Sequence, residues 1–209
     1  MTQMYLVRHA QQVSVHQPAG PLLADDEDGL TEKGHAEARR VAERISTRIE
    51  PEALYSSPVL GARQTARHIG SATGLPPIVD INLAELRLNC PLDTTNVLEL
   101  DGWVRARRYP YTPPFLGGEA LADLQRRALQ AFDMLARTHW GKKVVVVTHG
   151  GWIEMVLYAL LGIPLEHNLT AFVRCEHTAI FHWHWLVYPD LNLSGWELAA
   201  ANDTRHLEE

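Results

Sequence analysis

The sequence predicts an α/β fold: a single three-layer domain with a mostly parallel central sheet flanked by helices. Three observations carry this. Short apolar runs of strand length alternate with longer amphipathic stretches of helical period, the pattern of a sheet covered on both faces. One run holds four consecutive valines, as a strand buried on both sides does. The 209 residues, 46% hydrophobic and 21% charged, suit one ordinary globular core, and no repeat or linker divides them.

The elements follow in order. Met4 to Val7 reads as a strand that stops abruptly at Arg8 and His9, so it delivers two polar residues to its end. From Gln17 to Gly29 the chain is rich in Pro, Gly and acid and reads as an exposed loop, with Asp25, Asp26, Glu27 and Asp28 solvated. Thr31 caps a helix whose Ala38, Val41, Ala42, Ile45 and Ile49 share one face, and Pro51 closes it. Ala53 to Ser56 is a second strand. Ser57 and Pro58 then read as an N-cap with proline at the first helical position, and the helix carries Arg63.

After Gly74 and the Pro76, Pro77 pair, Ile78 to Ile81 is a third strand leading into Glu85. Gly117 and Gly118 precede an amphipathic helix with Leu121, Leu124, Ala128, Phe132 and Leu135 inward and Asp123, Arg127 and Gln130 outward. Lys143 to Thr148 is the valine strand. His149, Gly150 and Gly151 end it and open an apolar helix, Trp152 to Leu161, stopped by Gly162 and Pro164. Ala171 to Cys175, Ala179 to Val187 and Trp196 to Ala200 are strand-like and add edge strands.

Composition excludes several classes of function. Nineteen basic against 25 acidic residues give a net charge of -6, the wrong sign for a domain held by nucleic acid phosphates. No stretch is long enough to span a membrane. MTQMYLVRHA lacks the basic start and cleavage site of a signal peptide. The two cysteines, Cys90 and Cys175, have no C-x-x-C spacing, so a reducing, cytoplasmic setting is expected. Eleven histidines direct attention to imidazole chemistry.

In α/β sheets ligands gather outside the carboxyl ends of the strands, where Arg8, His9 and His149 fall. Four pieces read together there: LVRHA at 6 to 10, SSPVLGARQTA at 56 to 66, AEL at 84 to 86 and VVVVTHGG at 144 to 151. LTEKGHAEA at 30 to 38, GGEALADLQRR at 117 to 127 and NDTRHL at 202 to 207 accompany them. The ordered set resembles the histidine phosphatase superfamily, with its phosphoglycerate mutase-like fold, over nearly the whole length. The resemblance implies a phosphoric monoester hydrolase in which His9 is the nucleophile, Arg8, Arg63 and His149 bind the phosphate, and Glu85 acts with them in catalysis.

Physical chemistry gives each residue type its reason. A phosphate monoester is a dianion near neutral pH, so charge must be cancelled before a nucleophile approaches, and arginine forks do this bidentately. His9 would attack through one ring nitrogen while a backbone carbonyl accepts the other N–H and fixes the tautomer. His149, read as charged, would donate to an equatorial oxygen. Glu85, with its pKa raised by burial, would protonate the leaving group and then deprotonate water. No carboxylate cluster accompanies these residues, so neither metal nor cofactor is expected.

Other readings stand beside these. Glu85 lacks the glycine and aromatic residues that often follow the family's acid, and reads equally as a solvated loop carboxylate. His177, His182 and His184 read as a polar outer face rather than a metal site. Arg105, Arg107 and Arg108, interleaved with Trp103, Tyr109 and Tyr111, either line the pocket mouth or form a surface loop, and residues 86 to 117 are a candidate substrate cap. Ala10, Gln12, Val15 and Ala120 depart from the family pattern. They leave open a phosphate-binding or partner-binding module with weak turnover, as well as a phosphoglycerate mutase-type phosphotransferase. The mutase branch fits less well, because its Arg-His-Tyr-Gly substrate segment is absent. The expected partner is a small phosphate ester or a phosphoprotein.

Overall fold

A computed structural model describes residues 1–13, 29–89, 96–167 and 172–208. The Asp25 to Asp28 run, Val15 and Cys90 lie outside the described residues. Strands β1 (Gln3–Arg8), β2 (Ala53–Ser56), β3 (Ile78–Val79), β4 (Lys143–Thr148), β5 (Ile180–Tyr188) and β6 (Leu193–Asp203) form one sheet in the order β3-β2-β4-β1-β5-β6. The first four are mutually parallel; β5 runs antiparallel to β1, and β6 to β5.

Side-chain alternation along β1 and β4 divides the core in two. Tyr5, Val7, Val145 and Val147 face α1 (Glu32–Arg44) and α2 (Leu60–Thr73), packing with Val41, Ile45, Ala62 and Ile69. Met4, Leu6, Val144 and Val146 face the other way, toward α4 (Leu121–Thr138) and α5 (Gly150–Leu161), with Leu124, Phe132, Trp152 and Val156. Each fully buried valine is worth about 1.5–3 kcal/mol relative to exposure, so β1 and β4 form a rigid centre. Their carboxyl ends are therefore held firmly.

Thr31 caps α1 as expected, its hydroxyl accepting from Gly34 N–H at 2.9 Å. Beyond Arg44 the helix widens into a π turn over Ile45–Ile49, and Glu50 leaves it in the left-handed region just before Pro51. Three expectations are corrected. α2 begins at Leu60 with Val59 as its N-cap, and Ser57 is turned to other use. Residues 172–176 form no strand, because side chains capture their backbone: Arg8 Nη1 donates to Cys175 O and Val173 N–H donates to Glu154. Residues Asn96–Arg108, with a weak apolar pattern, form helix α3 rather than a loop.

Candidate active site

Strand register builds the centre of the site. β1 and β4 are parallel with Arg8 opposite Thr148, so the next residues, His9 and His149, emerge side by side. His9 N–H donates to Thr148 O at 2.9 Å, and the two imidazoles meet edge to face with centroids 5.0 Å apart. Both rings are buried. His9 Nδ1 lies 2.8 Å from Ala10 O; a carbonyl only accepts, so Nδ1 carries the proton and Nε2 keeps its lone pair. Burial, helped by Arg8, lowers the His9 pKa to about 4, which keeps the ring neutral and nucleophilic.

The turn after β2 orients the second imidazole. Ser57 N–H donates to Val147 O, and the Ser57 hydroxyl lies 2.7 Å from His149 Nε2. Burial and the neighbouring His9 and Arg8 push His149 well below the ordinary imidazole range. Without an anion in the pocket these influences favour the neutral ring, and a bound dianion would shift the balance back toward the imidazolium expected there. Thr65, on α2, ties down the turn after His9 by accepting from Ala10 N–H at 3.0 Å while donating to Gly61 O.

Arg8 has its Nη1 on Cys175 O, and its buried Nε finds no hydrogen-bond acceptor among the described residues. An N–H left this way is costly inside a protein, and an anion would satisfy it. Arg63 occupies the first turn of α2, on the same edge of the sheet, with its Nε buried.

Glu85 is not a solvated loop carboxylate. Its Oε2 accepts from Gly151 N–H at 3.0 Å, in the first turn of α5, and its Oε1 from Leu86 N–H at 2.9 Å. Burial nevertheless raises its pKa, outweighing those two donors and the cations Arg8 and Arg127. Gly151 leaves room for both neighbours: a Cβ there would stand 2.5 Å from Glu85 Oε1 and 2.5 Å from the Trp103 ring tip, so a side chain would have to shift. The loop bearing Glu85 is fastened from beneath. Arg127 Nη1 donates to Asn82 O and Ala84 O, Trp152 Nε1 to Asn82 O, and Thr148 Oγ1 to Leu83 O. Arg127 is itself gripped by the buried Glu119 through two hydrogen bonds. Its expected outward position is corrected, because the backbone carbonyls of the acid loop draw it in.

A family model described as the histidine phosphatase superfamily, branch 1, matches residues 4–185. The chain belongs to this superfamily. A Yersinia pestis protein named probable phosphoglycerate mutase GpmB is 30% identical over 219 aligned residues, covering 100% of this chain and 96% of that protein. Among solved structures, Bacillus stearothermophilus YhfR superposes with a TM-score of 0.80 at 26% identity, covering 99% of this chain and 100% of that one. A mycobacterial glucosyl-3-phosphoglycerate phosphatase in complex with VO3 superposes at 0.77 with 26% identity, covering 97% and 99%.

Within this superfamily the departures noted in the sequence find local explanations. Ala10 has no positive φ, and its methyl packs with Leu30 and Ala38, so glycine is not required there. Gln12 bridges to Leu30 and rests its amide oxygen against Gly61 at the start of α2. Ala120 is the N-cap of α4 and supplies no side-chain acceptor.

Of the aromatic and basic residues in and after α3, Trp103 reaches the Glu85 and Gly151 neighbourhood. Arg107 stacks on Phe172 and forms an ion pair with buried Glu154, while Arg105 pairs with exposed Asp101. Tyr111 donates to Glu166 at the surface.

Among the described residues no group of three or more His, Cys, Asp or Glu side chains could hold a metal ion. His182 and His184 pair with each other, and His182 stacks on Tyr5. His177 departs from them and stands beside His9, so it is not part of an outer polar face. Sequence reading also missed Ser57, Thr65, Glu119 and Arg127 as positioning groups. Their signal was present in the SSP, RQTA and GGE segments, but not their partners.

Proposed function

We propose that the protein hydrolyses phosphate monoesters through a phosphohistidine formed on His9, without a metal ion. The observation that carries this reading is the 2.8 Å contact between His9 Nδ1 and Ala10 O, which aims a neutral ring's free Nε2 at an anion held beside Arg8. Arg8, Arg63 and His149 bind the phosphoryl oxygens, where negative charge spreads in the transition state. In the first step the Nε2 lone pair forms an N–P bond as the ester P–O bond breaks, and the Glu85 carboxyl gives its proton to the leaving oxygen. In the second, water attacks phosphorus, its proton passes to the Glu85 carboxylate, and the N–P bond breaks to release phosphate.

The similarity to a glucosyl-3-phosphoglycerate phosphatase complexed with VO3 supports water as the acceptor. The similarity to a probable phosphoglycerate mutase supports a second reading, transfer to a phosphoglycerate hydroxyl. In both, we read residues 86 to 117 as a substrate cap, a reading supported by α3 bringing Trp103 up to Gly151, whose N–H Glu85 accepts.

Incubation with p-nitrophenyl phosphate in the presence of chelator should release p-nitrophenolate, and His9→Ala should lower the rate by at least about 10³-fold. A quenched reaction should trap an acid-labile, base-stable phosphoryl group on wild type only. Phosphoglycerate as acceptor separates the readings: loss of the label to water supports hydrolysis, and appearance of an isomeric ester supports the mutase. Absence of any His9-dependent turnover would leave a phosphate-binding or partner-binding module.

A further inference from the structure

Three imidazoles, not two, gather at the ends of β1 and β4. The ring of His177 stands 5.9 Å from that of His9, centroid to centroid, with the planes inclined by 55°. The other rings nearby are anchored: His9 on Ala10 O, His149 on Ser57, and His206 on the Thr178 hydroxyl. His177 is half-buried, and neither ring nitrogen has a hydrogen-bond partner among the described residues.

Its backbone, by contrast, is fixed. Thr178, at φ 57°, donates its N–H to Arg8 O at 3.0 Å and its hydroxyl to His177 O at 2.7 Å. Two residues earlier, Cys175 O accepts from Arg8 Nη1. One loop thus anchors the phosphate-binding arginine at two points and presents an unengaged imidazole next to the nucleophile.

We propose that His177 is a further phosphate-binding residue, which donates a ring N–H to the phosphoryl group and takes up a proton as the dianion binds. This rests on the reading of the pocket as a phosphate site. The charges facing the ring are Arg8 from β1, Lys33 and Glu37 from α1, and Glu176 from its own loop, with neutral His9 beside it. Burial and Arg8 keep the free ring below its ordinary range, hence neutral near pH 7. A dianion on Arg8 reverses that balance, so binding and protonation become linked.

Tungstate, kept dilute enough to stay the monomeric tetrahedral dianion, does not itself titrate near neutrality and is a suitable probe. Calorimetric titration of wild type, His177→Ala and His177→Gln at about pH 6 and about pH 8, in two buffers of different ionisation enthalpy, measures both affinity and proton uptake. Wild type should bind more tightly at the lower pH and take up a proton. His177→Ala should lose about tenfold in affinity at the lower pH, little at the higher, and lose the uptake, with its kinetic cost falling mainly on KM. His177→Gln, which keeps a neutral donor, should recover part of the affinity but none of the pH dependence.

Retention of the uptake by both variants would assign the proton to His149 and overturn the proposal. So would unchanged affinity in both. Failure of wild type to bind tungstate at all would instead overturn the reading of the pocket.

Discussion

The nucleophile proposed at His9 must be neutral while it sits beside the permanent cation Arg8, and burial favours that form. With its pKa lowered to about 4, its ring resonance in an NMR titration should stay that of the neutral form down to about pH 5 and change only below it. A midpoint near the ordinary imidazole value of about 6.5 would contradict the buried, Arg8-flanked geometry. In its proposed role as the acid, Glu85 has the opposite need, to hold a proton until the leaving group requires it, and burial raises its pKa. Glu85→Gln should therefore slow alkyl phosphates by about 10²–10⁴-fold and p-nitrophenyl phosphate by far less, because p-nitrophenolate departs with little protonation. Equal losses on both substrates would remove Glu85 as the acid.

At the scale of elements, the site depends on how the first turn of α5 meets the Glu85 loop and α3. Gly151→Ala would drive a methyl between Glu85 and Trp103, each 2.5 Å from its ideal position, so one of them has to move. A displacement of this kind costs about 10²-fold in turnover. The loss should show in kcat on alkyl phosphates, while tungstate affinity, which the proposed function assigns to groups other than Glu85 and Trp103, changes little. Arg127→Met should have a related effect, since it releases the carbonyls of Asn82 and Ala84 and leaves buried Glu119 without its main partner. Both a slower general acid step and a lower Tm are expected, the latter read by calorimetry.

For the whole molecule, buried histidines make stability depend on acidity. His9, His182 and His206 each have pKa values lowered to about 4, and His149 lies well below its ordinary value. Between about pH 4 and about pH 6.5 the unfolded chain binds protons that the native chain refuses, so stability rises with pH across that window and is lost as pH falls through it. Acidification from about pH 7 to about pH 5 should lower the Tm by several degrees, and His182→Gln should flatten the slope without touching the nucleophile. Asp203, held far below the usual carboxylate range by Arg205 and Arg44, acts in a lower window. Its contribution is intact above about pH 4 and fades below that.

The sequence by itself determined the layered α/β fold, the strands that end in Arg8-His9 and in His149, and the cap at Thr31. Hydrophobic period and chain punctuation are local signals, and these features are local. Tertiary structure alone decided which side chains hold those groups in place. Ser57 read as a helix cap and Arg127 as solvent-facing because their partners, His149 and the acid-loop carbonyls, lie 92 and 43 to 45 residues away in the chain. His177 comes beside His9 for the same reason: the antiparallel pairing of β5 with β1 returns its loop to the end of β1, and strand register across a sheet is not written in any short window of residues.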